Sequence, residues 1–181
     1  MYTNLEIEFK CKIDKETYLK LLKEFYLANY VNKQTNYYFD TLDYKLRNKH
    51  ITLRIREKEY NVKLTLKTNV SEGILEKHII LDKNDAKKMI EEGFNASIIG
   101  INEVVYNVAK LTTYRVKMDY KGGVLFFDKN IYYQTVDYEI EYEVTDKEEG
   151  YKVFLEFLKE REIPLVQTES KIARAYKKSS Q

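Results

Sequence analysis

Cysteine occurs once in the 181 residues, proline once and tryptophan not at all. A single cysteine, Cys11, cannot form an internal disulfide, so a reducing compartment is the expected setting. The lone proline, set beside 17 tyrosines and 8 phenylalanines, leans the chain toward strands and away from loops. No apolar run approaches the roughly 18 residues of a membrane-spanning helix, and the N-terminus lacks the basic-then-apolar layout of a signal peptide. A soluble cytoplasmic protein with no membrane partner is expected. An excess of one charge is missing too: 31 Lys and Arg face 29 Asp and Glu, a net +2, so no bulk field directs the chain to nucleic acid. With 44% hydrophobic and 33% charged residues, the composition suits one globular domain over residues 1–181. No linker, low-complexity tract or repeat divides it.

What is present is alternation. Leu5-Glu6-Ile7-Glu8-Phe9-Lys10 runs apolar then charged, the period of a half-buried β-strand. Glu6, Glu8 and Lys10 share one face, while Leu5, Ile7, Phe9 and, in register, Cys11 share the other. At a rise of ~3.3 Å per residue the two carboxylates stand about 7 Å apart along the strand and can aim at one hard cation. Alone, such a face is a solvated surface. The same kind of face, however, recurs down the chain.

Asp14 caps a helix expected to run to about Tyr30, with Tyr18, Leu21, Leu22, Phe25 and Tyr26 as its apolar stripe. Thr35–Thr41 reads as a strand whose Tyr37-Tyr38-Phe39 belongs to the core. Ile51–Arg56 sets Arg54 and Arg56 against Leu53 and Ile55. A hairpin at Lys58–Asn61 leads into a strand with Lys63, Thr65 and Lys67 opposite Val62, Leu64 and Leu66. Ile74–Leu81 follows, with Glu76, His78 and Ile80 on one face. Asp82 or Asn84 caps a helix stopping at Gly93, and a second helical piece is expected over Asn102–Lys110. Tyr114–Tyr120 places Arg115 and Lys117 opposite Tyr114, Val116 and Met118, and Gly122-Gly123 turns the chain into Val124–Asp128. Asp137–Glu143 carries Glu139, Glu141 and Glu143 on one face. Asp146 and Glu149 form a capping box for a helix to about Arg161, striped by Tyr151, Phe154, Leu155 and Leu158. A last segment after Pro164 carries Ser170, Lys171 and Arg174.

These strands admit two architectures. In a sandwich the charged faces point to water. In a closed barrel the helices cover apolar outer faces and the charged faces point inward. Interior charges must be paired or wet, because desolvation costs several kcal/mol per ion. A lumen lined by Lys10, Arg54, Arg56, Lys63, Lys67, Arg115, Lys117, Lys171 and Arg174, with acidic patches at Glu6/Glu8 and Glu139/Glu141/Glu143, would suit a polyphosphate held with a divalent ion.

The chain resembles the CYTH superfamily, the triphosphate tunnel metalloenzymes, over essentially its whole length. The resemblance rests on ordered motifs: Glu6-x-Glu8-x-Lys10, Arg54-x-Arg56, Leu64-Thr65-Leu66-Lys67, Glu76, Arg115, Asp128, Glu139-x-Glu141 and Ser170-Lys171-x-x-Arg174. It implies an α+β fold, a closed eight-stranded antiparallel barrel with charged interior and helices packed outside. It also implies a linear triphosphate bound with Mg²⁺ or Mn²⁺. On that resemblance Glu6, Glu8, Glu139 and Glu141 are metal ligands, and Glu6, Glu8, Lys10, Glu76 and Asp128 take part in the chemistry. Lys10, Arg54, Arg56, Lys67, Arg115, Lys171 and Arg174 clamp phosphate, with Lys63 and Lys117 in register to join them. His78 and Glu143 are left unassigned.

The expected partner is a small polyphosphate or organic triphosphate, bound by a monomer or homodimer. Members of the superfamily include inorganic triphosphatases, thiamine triphosphatases and class IV adenylyl cyclases. The lack of tryptophan, and of any motif assignable to a base, turns the expectation to hydrolysis of inorganic tripolyphosphate with release of orthophosphate. A non-catalytic polyphosphate-binding module would need the same basic residues but not both paired-glutamate motifs.

Overall fold

The structure is a computed structural model that describes residues 1–179, with side chains described through Tyr176. The strands are β1 (Tyr2–Ile13), β2 (Asn32–Asp40), β3 (Ile51–Glu57), β4 (Val62–Val70), β5 (Gly73–Leu81), β6 (Phe94–Asn95), β7 (Val104–Tyr120), β8 (Gly123–Tyr132) and β9 (Thr135–Val144). The helices are α1 (Lys15–Glu24), α2 (Lys45–Asn48), α3 (Lys83–Glu92), α4 (Lys147–Glu160) and α5 (Lys171–Ser179). In hydrogen-bonded order the strands run β2-β3-β4-β5-β1-β9-β8-β7, and β2 pairs with β7. That ring is a closed eight-stranded antiparallel β-barrel, with two-residue β6 added beside β7. No described helix is long and apolar enough to cross a membrane.

The chain divides into two compact units. One comprises Met1–Leu5, Gln34–Thr112 and the chain from Ser170; the other comprises Glu6–Lys33 and Thr113–Glu169. Long strands β1 and β7 run through both.

In the first unit, Phe39, Leu53, Ile55, Leu64 and Leu66 from the strands pack with Leu46, Ala86 and Ile99 from the helical segments. The opposite strand faces carry the polar residues. Asp40 closes β2 by accepting the backbone N–H groups of Leu46 (2.8 Å) and Arg47 (3.0 Å), which satisfies the start of α2. It also accepts the Tyr176 hydroxyl at 3.1 Å, so one buried carboxylate orders α2 and α5 together.

In the second unit, Cys11, Val116, Leu125, Phe127, Ile140 and Tyr142 form the strand side of a core. Tyr18, Leu21 and Leu22 of α1 and Phe154, Phe157 and Leu158 of α4 cover it. Cys11 is fully buried there, and its sulfur accepts the Val166 N–H at 3.3 Å. The helices start where aspartate supplies an acceptor: Asp14 for Thr17 N (2.7 Å), Asp146 for Glu149 N (2.9 Å) and, in the first unit, Asp82 for Asn84 N (2.7 Å).

Three sequence expectations need correction. Residues 102–110 are not helical: from Val104 they form the start of the 17-residue β7, because pairing with β6 and β2 gives their backbone a ladder. The short helix lies just upstream, a 3₁₀ turn over Ala96–Ile99. Helix α1 stops at Glu24, since Tyr26 adopts φ 55° and its ring is exposed. The buried stripe of α4 is Phe154, Phe157 and Leu158, while Tyr151 and Leu155 lie toward solvent. The solvated-face sandwich is excluded as well: Arg54, Glu76 and Arg174 in the first unit, and Asp128, Glu139 and Glu141 in the second, are all buried on polar strand or helix faces.

Candidate active site

The first unit holds a basic set built around one carboxylate. Strands β3, β4 and β5 pair so that Arg54 opposes Thr65, Thr65 opposes His78 and Lys67 opposes Glu76. Same-face neighbours across strands therefore bring Arg54, Lys67, His78 and Glu76 together. Lys67 Nζ lies 2.6 Å from Glu76 Oε1, His78 Nε2 lies 3.0 Å from Glu76 Oε2, and Arg54 Nη2 is 3.9 Å away. Burial pushes the Glu76 carboxyl up, but Lys67, Arg54 and His78 together pull it further down, to about 2. Glu76 is thus ionised and holds two cations in place.

His78 is 1% exposed. Burial, aided by Lys63, lowers its ring to about 4 against the opposing pull of Glu76, so it is neutral at pH 7. Two acceptors, Asn4 Oδ1 and Glu76 Oε2, face its Nε2, while Nδ1 lies 3.1 Å from the Thr65 hydroxyl. That arrangement selects the Nε2–H tautomer, with Thr65 donating to Nδ1. The sequence left His78 unassigned; its register with Glu76 was the available signal. Arg56 donates Nε–H to Asn36 Oδ1 at 2.7 Å. Lys63 reaches the Tyr2 hydroxyl at 3.5 Å, and the Tyr2 ring lies 4.7 Å from that of His78. Lys171 and Arg174 lie on α5, Arg174 buried and Lys171 half-buried.

The second unit holds the carboxylates. Pairing of β1 with β9 sets Glu8 opposite Glu143 and Lys10 opposite Glu141; pairing of β8 with β9 sets Asp128 opposite Glu139. Two triads result. Glu6, Glu8 and Glu143 each offer an oxygen, and these atoms lie within 4.8 Å of one another; Asp128, Glu139 and Glu141 do the same. Of the four glutamates expected as metal ligands, Glu6 and Glu8 belong to the first triad and Glu139 and Glu141 to the second. Glu143, left unassigned from sequence, completes the first.

The two triads differ in what already neutralises them. Arg115 donates Nε–H to Asp128 Oδ1 at 2.8 Å and Nη2–H to Asp128 Oδ2 at 2.6 Å, and it also bonds Glu141. Burial works against its charge, but Asp128 and Glu141 hold the guanidinium protonated. Glu139 is fully buried and accepts Asn130 Nδ2–H at 3.0 Å; Asn130 in turn accepts the Thr113 hydroxyl at 2.8 Å. The second triad is thus a hydrogen-bonded cage around a guanidinium. In the first, Lys10 pairs with Glu8. Burial and then Glu6 raise the Glu143 carboxyl to about 7, with Glu141 and Glu8 adding to the rise and Arg115 opposing it. Like charges directly across a ladder are destabilising. Hard oxygen donors gathered in this way fit Mg²⁺, Mn²⁺ or a similar hard cation. Lys117 is exposed, at the outer end of the Arg115 face.

Residues 4–176 match the family described as CYTH domain. The chain is 31% identical over 184 residues to YjbK of Bacillus subtilis (strain 168), a protein whose name proposes a triphosphatase, covering 97% of this chain and 96% of that one. A crystal structure of bh2851 from Bacillus halodurans, described as a proposed adenylate cyclase, superposes with a TM-score of 0.88 at 34% identity, covering 96% and 98% of the two chains. HpAC1 from Hippeastrum, described as having a dominant triphosphatase activity, shares the fold at a TM-score of 0.71 and 24% identity over 96% of each chain. With a family match over nearly its whole length and the ordered charged motifs on one closed barrel, the chain is a member of the CYTH domain family.

Proposed function

We propose that the protein is a divalent-metal-dependent triphosphatase whose best substrate is inorganic tripolyphosphate. The observation that carries this reading is the coexistence of an oxygen-only carboxylate triad, Glu6, Glu8 and Glu143, with a basic set in which half-buried Lys67 pairs with Glu76 and buried Arg54 lies 3.9 Å from it. Anions and hard cations are the ligands these two sets suit. The relation to YjbK supports hydrolysis of a triphosphate.

Glu6, Glu8 and Glu143 would hold the ion, and Arg115 orders Asp128 and Glu141 beside Glu139. A bound divalent ion supplies charge neutralisation at non-bridging phosphate oxygens and polarises the phosphoryl group. Arg54 and Arg56 offer forked donors for phosphate oxygens, and Lys10, Lys67 and Lys171 act as point charges. Glu76 keeps Arg54 and Lys67 positioned before substrate arrives, which lowers the reorganisation needed during reaction. Arg174, on the same helix as Lys171, adds a third arginine to the phosphate set.

A second reading, an organic triphosphate substrate, is favoured by one observation: the half-exposed Tyr2 ring lies against His78 with Lys63 beside it. Such a ring can stack on a heterocycle. The test is a product screen with tripolyphosphate, thiamine triphosphate and ATP in the presence of Mg²⁺ or Mn²⁺. Fastest orthophosphate release from tripolyphosphate, with ADP and orthophosphate as any products from ATP, supports the proposal. Cyclic AMP and pyrophosphate as the main products from ATP would replace it with a cyclase.

A further inference from the structure

Three N–H donors on adjacent strands of the first unit are buried without a hydrogen-bond partner among the described residues: Gln34 Nε2, Asn36 Nδ2 and Arg54 Nε. The residues that carry them are 3%, 0% and 8% exposed. Buried side-chain donors are nearly always satisfied in folded proteins, so each such group calls for an explanation. Register places them together. Asn36 opposes Arg56 and Tyr38 opposes Arg54 across β2 and β3, and Gln34 lies two residues before Asn36 on the same face. The alternate residues Tyr37 and Phe39 pack in the apolar core, so the amide face is the one turned from it.

The orientation of the Asn36 amide is fixed by chemistry. Arg56 Nε–H can only donate, and it donates to Asn36 Oδ1 at 2.7 Å. The oxygen therefore faces Arg56, and the NH₂ group is left as a donor. Three donors, two of them neutral amides flanked by two guanidiniums, ask for an acceptor rich in negative oxygen. Neither a cation nor another donor satisfies them.

We infer that Gln34 and Asn36 are substrate-binding residues whose amide N–H groups, with Arg54 Nε–H, receive non-bridging phosphate oxygens of the substrate. The inference rests on the triphosphate reading above and adds two uncharged residues to the phosphate set. Their role differs from that of the cations. An amide contributes direction without charge, so it favours a particular oxygen position over mere anionic attraction.

Two substitutions separate this role from a structural one. Gln34→Met keeps the volume and removes the donor. Asn36→Asp keeps the oxygen that Arg56 bonds and replaces the NH₂ with a second oxygen. The readouts are the rise in melting midpoint on adding tripolyphosphate, in EDTA and again with Mg²⁺, and the KM and kcat for orthophosphate release. For Gln34→Met the ligand-free midpoint is expected to stay level or rise, because an unsatisfied buried donor is gone, while the tripolyphosphate-induced rise shrinks and KM increases roughly tenfold. Asn36→Asp should lose more, since it sets a carboxylate against phosphate. A wild-type tripolyphosphate response and KM in Gln34→Met would overturn the inference. So would a lower ligand-free midpoint with the ligand-induced rise intact, which marks a structural role. If wild-type protein itself neither shifts nor hydrolyses tripolyphosphate, the triphosphate reading fails and the inference falls with it.

Discussion

Replacing Glu76 by glutamine removes the one negative charge that Lys67, Arg54 and His78 share in the first unit. The Glu76 carboxyl is held at about 2 in place of the ordinary 4.5, and at ~1.4 kcal/mol per pKa unit the difference corresponds to about 3 kcal/mol. Burial alone would raise the value, so this is the net of attraction over desolvation. The sign is fixed by linkage. A carboxyl with a depressed folded-state pKa contributes stability that is present above 4.5 and is lost as pH falls through about 2. Urea denaturation of wild type and Glu76→Gln at a series of pH values between 2 and 7 measures the difference directly. The variant should be about 3 kcal/mol less stable at pH 6–7, the gap should narrow below pH 4.5, and it should vanish near pH 2. A gap independent of pH, or a variant more stable than wild type at pH 7, would refute the claim that Glu76 is the ionised anchor of the basic set.

Further expectations follow from the other buried groups. Glu143→Gln removes a carboxylate directly across the ladder from Glu8. In EDTA the variant should melt above wild type, and it should gain less on adding Mg²⁺ or Mn²⁺; a lower midpoint in EDTA would contradict the like-charge account. Burial pushes the Cys11 thiol up and the side chain is fully covered. Folded protein should therefore resist a thiol reagent at pH 8 and release one equivalent only in denaturant, whereas rapid reaction in the folded state would show that the second core opens.

Much of this was legible in the sequence because alternation and capping are local. The faces of Glu6, Glu8 and Lys10, of Arg54 and Arg56, and of Glu139 and Glu141 follow from a period of two, and the caps Asp14, Asp82 and Asp146 follow from side chains reaching the next turn. Closure of the barrel was expected from the family resemblance, while the charged faces alone left the sandwich open.

The misses were non-local. Residues 104–110 are strand because β6 and β2 lie beside them, and that pairing is a property of the folded chain. The four-residue α2 owes its start to Asp40, on the preceding strand, because Tyr44 at its N-cap makes no side-chain capping bond. Glu143 was visible as a third carboxylate of the right parity, but its grouping with Glu6 and Glu8 depends on the β1–β9 register. Gln34 and Asn36 stand out only once burial shows that their donors lack partners among the described residues.

The most direct test of the account is orthophosphate release from tripolyphosphate by wild-type protein and Glu8→Ala, each with Mg²⁺ and with excess EDTA. Glu8 lies on a polar strand face beside Glu6 and Glu143, so its truncation removes an oxygen donor and leaves the apolar core intact. The account predicts release by wild type with Mg²⁺, none in EDTA, and a loss of at least about 10²-fold in the folded variant. Full release in EDTA, or undiminished release by Glu8→Ala, would contradict it.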